Sequence, residues 1–314
     1  MNPPESGARN GLVARGPHPA MDERAALALL ADRLPAAGDD AAVVDGLAVT
    51  TDMLHERTDF PAGTTRYPAG WRAVGASLSD VAAMGATARG AVAAYGAPGF
   101  DPDDLLAFVD GAADVCEAVG AEYVGGDLDG HEEFTVATTA FGRTDDPVRR
   151  SGASPGEVVC VTGALGRTGA ALRRFERGDA ERGNELFRFT PRVAAGVALA
   201  NHATAMMDSS DGLARSLHQL AEASGVGVGV AWDDLPVAAA VDAVARDEDD
   251  RRELAAFVGE DFELLLTLPA DRVTPASRAL SVPLSVMGEV REAGAGVTAD
   301  GDPLPDRGFT HSAE

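Results

Sequence analysis

The sequence predicts a two-domain α/β protein, and three observations carry that reading. The chain has 314 residues, more than one hydrophobic core usually organises. Strand-like and helix-like patterns alternate along both halves. Between the halves, TDDPVRRSGASPG (144–156) breaks the patterns with proline, glycine and charge. The expected division is a loose polar tail over 1–20, an N-terminal domain over 21–146 and a C-terminal α/β domain over 147–314.

The first element, MDERAALALLADRL (21–34), has helical apolar spacing, with acids in its first turn and arginine in its last. GDDAAVVDGLAVTTDML (38–54) reads as two strands joined by Asp45-Gly46, a pair that tight hairpins prefer. PAGWRAVGASLSDVAAMGA (68–86) is a helix so rich in glycine, alanine and serine that another backbone must lie close against it. A strand over 88–97, a helix over 101–120 and strands over 122–127 and 134–143 complete the first half. The second half reads as a strand over 157–163, helices over 164–178 and 191–202, a strand over 204–208 and a helix over 212–225. A strand over 226–232, further helix, and strands over 262–269 and 284–290 follow. The runs DPDD and DEDD (247–250) read as surface.

Composition narrows the function. The formal net charge is -24, and all 26 basic residues are arginine. Acids interleaved with apolar residues imply a solvated acidic surface of the kind a salt-loving organism maintains, and they exclude nucleic acid and anionic membranes as partners. Without lysine, a Walker A loop, a pyridoxal Schiff base and a lysine general base are all impossible. Phosphate must then meet arginine, backbone N–H groups or metal ions. Cys116 and Cys160 lie in apolar stretches, as core thiols of a reducing cytoplasm do. No apolar run reaches membrane-spanning length, and the six histidines are too scattered for a zinc site.

Single motifs leave alternatives open. TGALGRTGAAL (162–172) spaces its glycines unlike a dinucleotide fingerprint, so it is a tight strand-to-helix turn or a phosphate cradle. GGDLDGHEEF (125–134) lacks the ligands of a calcium loop; its two glycines suit a plain turn or close approach to a ligand. In MDSSDGL (207–213), Asp208, Ser210 and Asp211 either cap a helix or hold a ligand. The sum is more informative. Carboxylates recur at strand ends or beside Gly, Ser and Thr at Asp39, Asp40, Asp52, Asp80, Asp127, Asp208, Asp211, Glu260 and Asp261. Strand ends are where α/β proteins bind ligands, and so many converging carboxylates call for a hard divalent cation such as Mg²⁺. The competing expectation is a non-catalytic acidic cation binder, whose carboxylates would scatter over the surface.

Seven stretches in order, GDDAAVV, VTTDML, SLSDVAAMGA, GGDLDG, RSGASPGEVVCVTG, MDSSDGL and GEDFEL, resemble the thiamine-monophosphate kinases of the aminoimidazole-ribonucleotide-synthetase-like superfamily, over about residues 38–311. The resemblance implies that superfamily's two-domain fold, a homodimer formed through the N-terminal domain, and cytoplasmic phosphorylation of thiamine monophosphate by MgATP with several Mg²⁺ ions. Matched motif by motif, Asp40, Thr50, Thr51, Asp52, Asp80, Asp127 and Asp208 fall on magnesium ligands, with Asp211 as a further one. Gly126, Asp127, Arg150 and Ser210 fall on ATP contacts, and Asp59, Glu260 and Phe309 on substrate contacts. Two departures touch the substrate side. Asp59-Phe60 stands where the family commonly has His-Phe, and Gly308-Phe309-Thr310-His311 where it has Gly-aromatic-Asp-His. No residue falls on a general base. Among sister enzymes, selenophosphate synthetases carry an N-terminal reactive Cys with a Lys, and the carbamoyl-dehydrating hydrogenase-maturation proteins a C-terminal Cys; this chain has neither. Aminoimidazole-ribonucleotide synthetase remains the sister alternative.

Overall fold

A computed structural model describes residues 29–30, 33–34 and 36–309. Most of the helix expected over 21–34, together with Thr310 and His311, lies outside the described residues.

The N-terminal unit runs β1 (Ala42–Val44), β2 (Leu47–His55), α1 (Glu56–Asp59), α2 (Arg66–Ala83), β3 (Thr87–Ala97), α3 (Pro102–Ala118), β4 (Glu122–Gly130) and β5 (Thr135–Arg143). Its sheet has the order β1-β2-β5-β3-β4. β3 and β4 run parallel, joined through α3, and the other pairs are antiparallel. The expected hairpin is present, with Asp45 at φ 51 and Gly46 at φ 74, as a two-residue turn with positive φ requires. β4 continues to Gly130 rather than ending at 127, so GGDLDG is strand and not turn.

Side chains alternate along β2. Ala48 and Leu54 are buried, and Thr50 and Asp52 share their face toward α2, whereas Val44 and Met53 stand 59% and 57% exposed on the other. Among the described residues, helices thus cover one face of this sheet and leave the opposite face open. The small-residue helix has the close neighbour its composition demands. A Cβ added at Gly70 would collide with the Phe108 carbonyl of α3, and one at Gly111 with the Tyr67 carbonyl of α2.

The C-terminal unit runs β6 (Val158–Thr162), α4 (Arg167–Glu176), α5 (Ala180–Phe187), α6 (Val193–Leu199), β7 (Ala205–Asp208), α7 (Leu213–Ser224), β8 (Gly227–Val230), α8 (Ala239–Asp242), α9 (Glu248–Ala256), β9 (Leu264–Leu268), α10 (Val273–Ala279), β10 (Leu284–Arg291), β11 (Val297–Ala299) and β12 (Asp302–Pro303). The sheet order is β12-β11-β8-β10-β6-β9-β7. β7 and β9 are buried along their whole length, as near-continuous apolar runs should be. α4 starts only at Arg167 because Gly166 takes a left-handed φ of 89. The helix expected over 191–202 shrinks to α6. The surface reading of DEDD fails at Asp250, which is buried because Arg173 and Arg246 both donate to it at 2.8 Å.

Helix α2 forms the seam between the units. On its far side Asn184 of α5 accepts from the Thr65 N–H at 3.0 Å and donates to the Gly63 carbonyl at 2.9 Å, which ties the loop before α2 to the second unit.

Candidate metal and nucleotide site

Four carboxylates arrive at this seam on four separate pieces of chain. Asp40 lies in the loop before β1, Asp52 on β2, Asp80 near the end of α2, and Asp208 ends β7. Oxygens of Asp40, Asp80 and Asp208 lie within 4.8 Å of one another. Hydroxyls hold the acids in place. Thr50 donates to Asp80 at 2.6 Å, Ser77 to Asp52 at 2.7 Å and Ser79 to Asp208 at 2.6 Å, while the Ser210 N–H reaches Asp208 at 3.3 Å. Local sequence explains the arrangement: alternation puts Thr50 and Asp52 on one face of β2, and the three-residue interval puts Ser77 and Asp80 on one face of α2.

The site is short of positive charge. Burial raises the Asp208 carboxyl to about 7, with repulsion from Asp40 and Asp52 adding to it. Burial likewise raises Asp40 to about 6 even though Arg150 opposes it, and raises Asp80 well above the usual carboxylate range with Asp52 and Asp208 adding. Arg150, in the linker, donates to Asp40 at 3.0 Å and lies 3.6 Å from Asp39. Burial works against the Arg150 charge, yet Asp40 and Asp39 hold its pKa above the ordinary arginine value. Arg149 lies 3.7 Å from Asp39 as well, but among the described residues no arginine is paired with Asp80 or Asp208. Asp40 Oδ2 is buried without a hydrogen-bond partner among the described residues. A bare, buried anionic oxygen beside two further carboxylates fits a hard divalent cation.

The remaining expected residues are distributed as follows. Thr51 points to the other face of β2, its hydroxyl donating to the Thr138 carbonyl at 2.9 Å. The Asp211 carboxylate accepts from Gln219 at 3.1 Å and stands outside the three-acid cluster. Its carbonyl accepts the Phe309 N–H at 2.9 Å, and a Cβ at Gly308 would collide with that same carbonyl, so the C-terminal segment lies along the start of α7. Asp127 is exposed on β4, three strand spacings from Asp52 in the order β2-β5-β3-β4, or roughly 14 Å. Gly126 has a packing reason for its missing side chain, because a Cβ there would meet the Ala93 carbonyl of β3. Beside Gly126 and Asp127 opens an apolar cleft of about 490 Å³, walled by Tyr95, Leu105, Phe108 and Tyr123. Asp59 turns inward at 5% exposure and accepts from the His55 N–H at 2.6 Å and the Thr58 hydroxyl at 2.9 Å. One of its two carboxylate oxygens therefore serves its own turn.

Glu260 sits across the seam at φ 57, its N–H donating to the Ser210 carbonyl at 2.6 Å and its carboxylate accepting from Arg72 at 2.9 Å. Asp261, its neighbour in the acidic pair, is instead a buried cap of α4, accepting from the Gly166 and Thr168 N–H groups at 2.5 and 3.0 Å. Sequence reasoning missed Ser77, Ser79 and Arg72. A signal existed for the serines: SLSD puts three polar residues within four positions in the apolar second half of α2.

Two family models and several known proteins are similar to this chain. The family described as AIR synthase related protein, N-terminal domain, matches residues 38–144, and the corresponding C-terminal domain matches 154–300. A thiamine-monophosphate kinase of Halobacterium salinarum is 63% identical over 93% of this chain and 100% of its own length. One of Methanospirillum hungatei is 41% identical over 87% of this chain and 92% of its own. The structure of AaThiL complexed with AMPPCP and TMP superposes with a TM-score of 0.85 at 28% identity, covering 93% of this chain and 97% of that one. Four acids gathered at a domain seam, a family match across both domains and relatives this similar lead to one conclusion: the chain belongs to the AIR synthase related proteins and, within them, to the thiamine-monophosphate kinases.

Proposed function

We propose that this chain transfers the γ-phosphoryl group of ATP to thiamine monophosphate, giving thiamine diphosphate and ADP, with Mg²⁺ at the seam. The observation that carries the reading is the cluster of Asp40, Asp80 and Asp208 within 4.8 Å, with Asp40 Oδ2 bare, in a chain 63% identical to a thiamine-monophosphate kinase. Convergence on one seam, rather than scatter over the surface, speaks against a salt-tolerance role for these acids.

A phosphate monoester loses its second proton near ~6, so the acceptor is already a nucleophilic dianion at neutral pH. No general base is needed, and none is assigned. Magnesium, when bound, supplies charge neutralisation and in-line alignment of the two phosphates. Asp40, Asp52, Asp80 and Asp208 would hold it, and Thr50, Ser77 and Ser79 orient their carboxylates. Arg150 is the fixed cation a lysine-free chain has at hand, placed to leave Asp40 for a phosphate oxygen. Ser210, ahead of the N-terminus of α7, faces an end of a helix that favours anions. The cleft beside Gly126 suits the base of the nucleotide, and Glu260 with Phe309 the thiamine moiety.

The acids do not all meet within one chain. A homodimer packed on the open face of the N-terminal sheet, where Val44 and Met53 are exposed, would bring Asp127 of the partner subunit to Thr51, on that same face of β2. The test is ADP and thiamine diphosphate formation by the purified chain with MgATP and thiamine monophosphate. Asp52→Asn should abolish turnover, and unphosphorylated thiamine should not react. Turnover of formylglycinamidine ribonucleotide in place of thiamine monophosphate would instead identify the sister synthetase.

A further inference from the structure

Arg72 is among the largest fully buried side chains of the described residues, at 1% exposure. It projects from α2, in the N-terminal unit, yet its hydrogen-bond partners belong to the C-terminal unit. It donates to the Phe187 carbonyl at 2.8 Å, the Thr168 hydroxyl at 3.2 Å, the Glu260 carbonyl at 3.2 Å and Glu260 Oε2 at 2.9 Å. Its guanidinium lies 3.8 Å from the centre of the Phe187 ring and 5.4 Å from that of Phe262. If α2 needed only to be glued to the second unit, an apolar side chain would serve as well, since a buried ion pair gains little over good apolar packing.

The target of these contacts is an unusual loop. Glu260 and Phe262 both hold left-handed φ values, 57 and 54, a conformation costing non-glycine residues on the order of 1–2 kcal/mol each. Glu260 is fixed from three sides: its N–H by the Ser210 carbonyl, its carbonyl by the Thr168 hydroxyl at 2.7 Å and its carboxylate by Arg72. Asp261 and Phe262 beside it are buried, but the Glu260 side chain stays 18% exposed. The loop's strain and the buried arginine therefore have one outward product, a carboxylate locked in a single position at the seam.

The geometry points to Arg72 as a positioning residue for substrate selection: from the opposite domain it fixes Glu260 so that this carboxylate meets the cationic thiamine moiety of the acceptor. The inference rests on the reading that Glu260 contacts thiamine monophosphate. Arg72 itself touches no substrate and acts through Glu260, with the planar fork and ring stacking that lysine lacks.

The test is a double-mutant cycle of Arg72→Lys and Glu260→Gln, read as KM for thiamine monophosphate and KM for ATP, with melting temperatures as a folding control. Arg72→Lys should raise KM for thiamine monophosphate about 10- to 100-fold and leave KM for ATP within about twofold. In the Glu260→Gln background, the same change should add nothing further. Should Arg72→Lys fail to fold, Thr168→Val, which removes the hydroxyl shared by Arg72 and Glu260, should give the same one-sided rise. A folded Arg72→Lys with unchanged KM for thiamine monophosphate, equal losses for both substrates, or additive losses in the cycle would overturn the inference. Wild-type thiamine monophosphate affinity in Glu260→Gln would instead overturn the assignment of Glu260 and leave the kinase reading standing.

Discussion

Replacing Asp208 by asparagine should stabilise the metal-free protein and destroy its activity. Asp208 is 0% exposed, and burial with repulsion from Asp40 and Asp52 moves its carboxyl from 3.8 to about 7. The folded chain therefore binds this proton more tightly than the unfolded chain, so the group favours folding in acid. That contribution is lost as pH rises from about 4 through about 7. At pH 8 the ionised group opposes folding by a few kcal/mol, since each tenfold gain in proton affinity on folding corresponds to about 1.4 kcal/mol. Asparagine has nearly the same shape, carries no charge and keeps partners in the Ser79 hydroxyl and the Ser210 N–H. In EDTA, the melting temperatures of Asp208→Asn and wild type should converge toward pH 4 and separate at pH 8, the variant higher by about 2–4 °C per kcal/mol. Adding Mg²⁺ should reverse the order, because only the wild type gains from binding. Scanning fluorimetry across pH, with EDTA or Mg²⁺, gives both comparisons. A variant less stable than wild type in EDTA at pH 8, or one gaining equally from Mg²⁺, would show that Asp208 carries neither the excess charge nor the ion assigned to it.

Further expectations concern the rest of the site. Mixing inactive Asp52→Asn with inactive Asp127→Asn chains should restore about a quarter of wild-type activity if each site draws on both subunits, since half the dimers are mixed and one site in each is intact; no recovery on subunit exchange would place Asp127 elsewhere. Gly126→Ala should cost on the order of 1–3 kcal/mol by forcing β4 away from the Ala93 carbonyl, and should raise KM for ATP more than KM for thiamine monophosphate; chemical denaturation and steady-state kinetics check the two halves. Arg150→Gln should weaken ATP binding yet tighten Mg²⁺ binding in the absence of nucleotide, because it removes the cation paired with Asp40; calorimetry showing both weakened would contradict this. Melting temperature should climb with KCl as salt screens a net charge of -24.

Much of this fold is legible in local pattern, and the parts that are not depend on contacts distant in sequence. The Asp45-Gly46 hairpin and the glycines of α2 state their geometry directly, the first through positive φ and the second through the absence of a Cβ against α3. By contrast, DEDD with Arg246 four residues before Asp250 reads as an ordinary surface pair, because Arg173, the second partner at 2.8 Å, lies 77 residues away. Nor does the sequence show that the Asp59 carboxylate turns inward to accept from the His55 N–H of its own turn.

The same limit decides which buried acids form a site. MDSSDGL and GEDFEL look alike as sequence, acids clustered at a strand end, two in the first and three in the second, and each delivers an enclosed carboxylate, Asp208 at 0% and Glu263 at 4% exposure. Burial does not separate them; their partners do. Glu263 faces the Arg192 guanidinium at 2.7 Å and the Thr162 hydroxyl at 2.7 Å, so its charge is matched and its role is to hold the second unit together. Asp208 faces two neutral donors, Ser79 and Ser210, and more acids, with Arg150 committed to Asp39 and Asp40. Arg192 is 71 residues from Glu263, so no window around either motif distinguishes the satisfied acid from the unsatisfied one. The mark of the site is excess negative charge at a domain seam. A chain that answers buried acids such as Glu263 and Asp250 with arginine leaves this excess for a bound cation to neutralise.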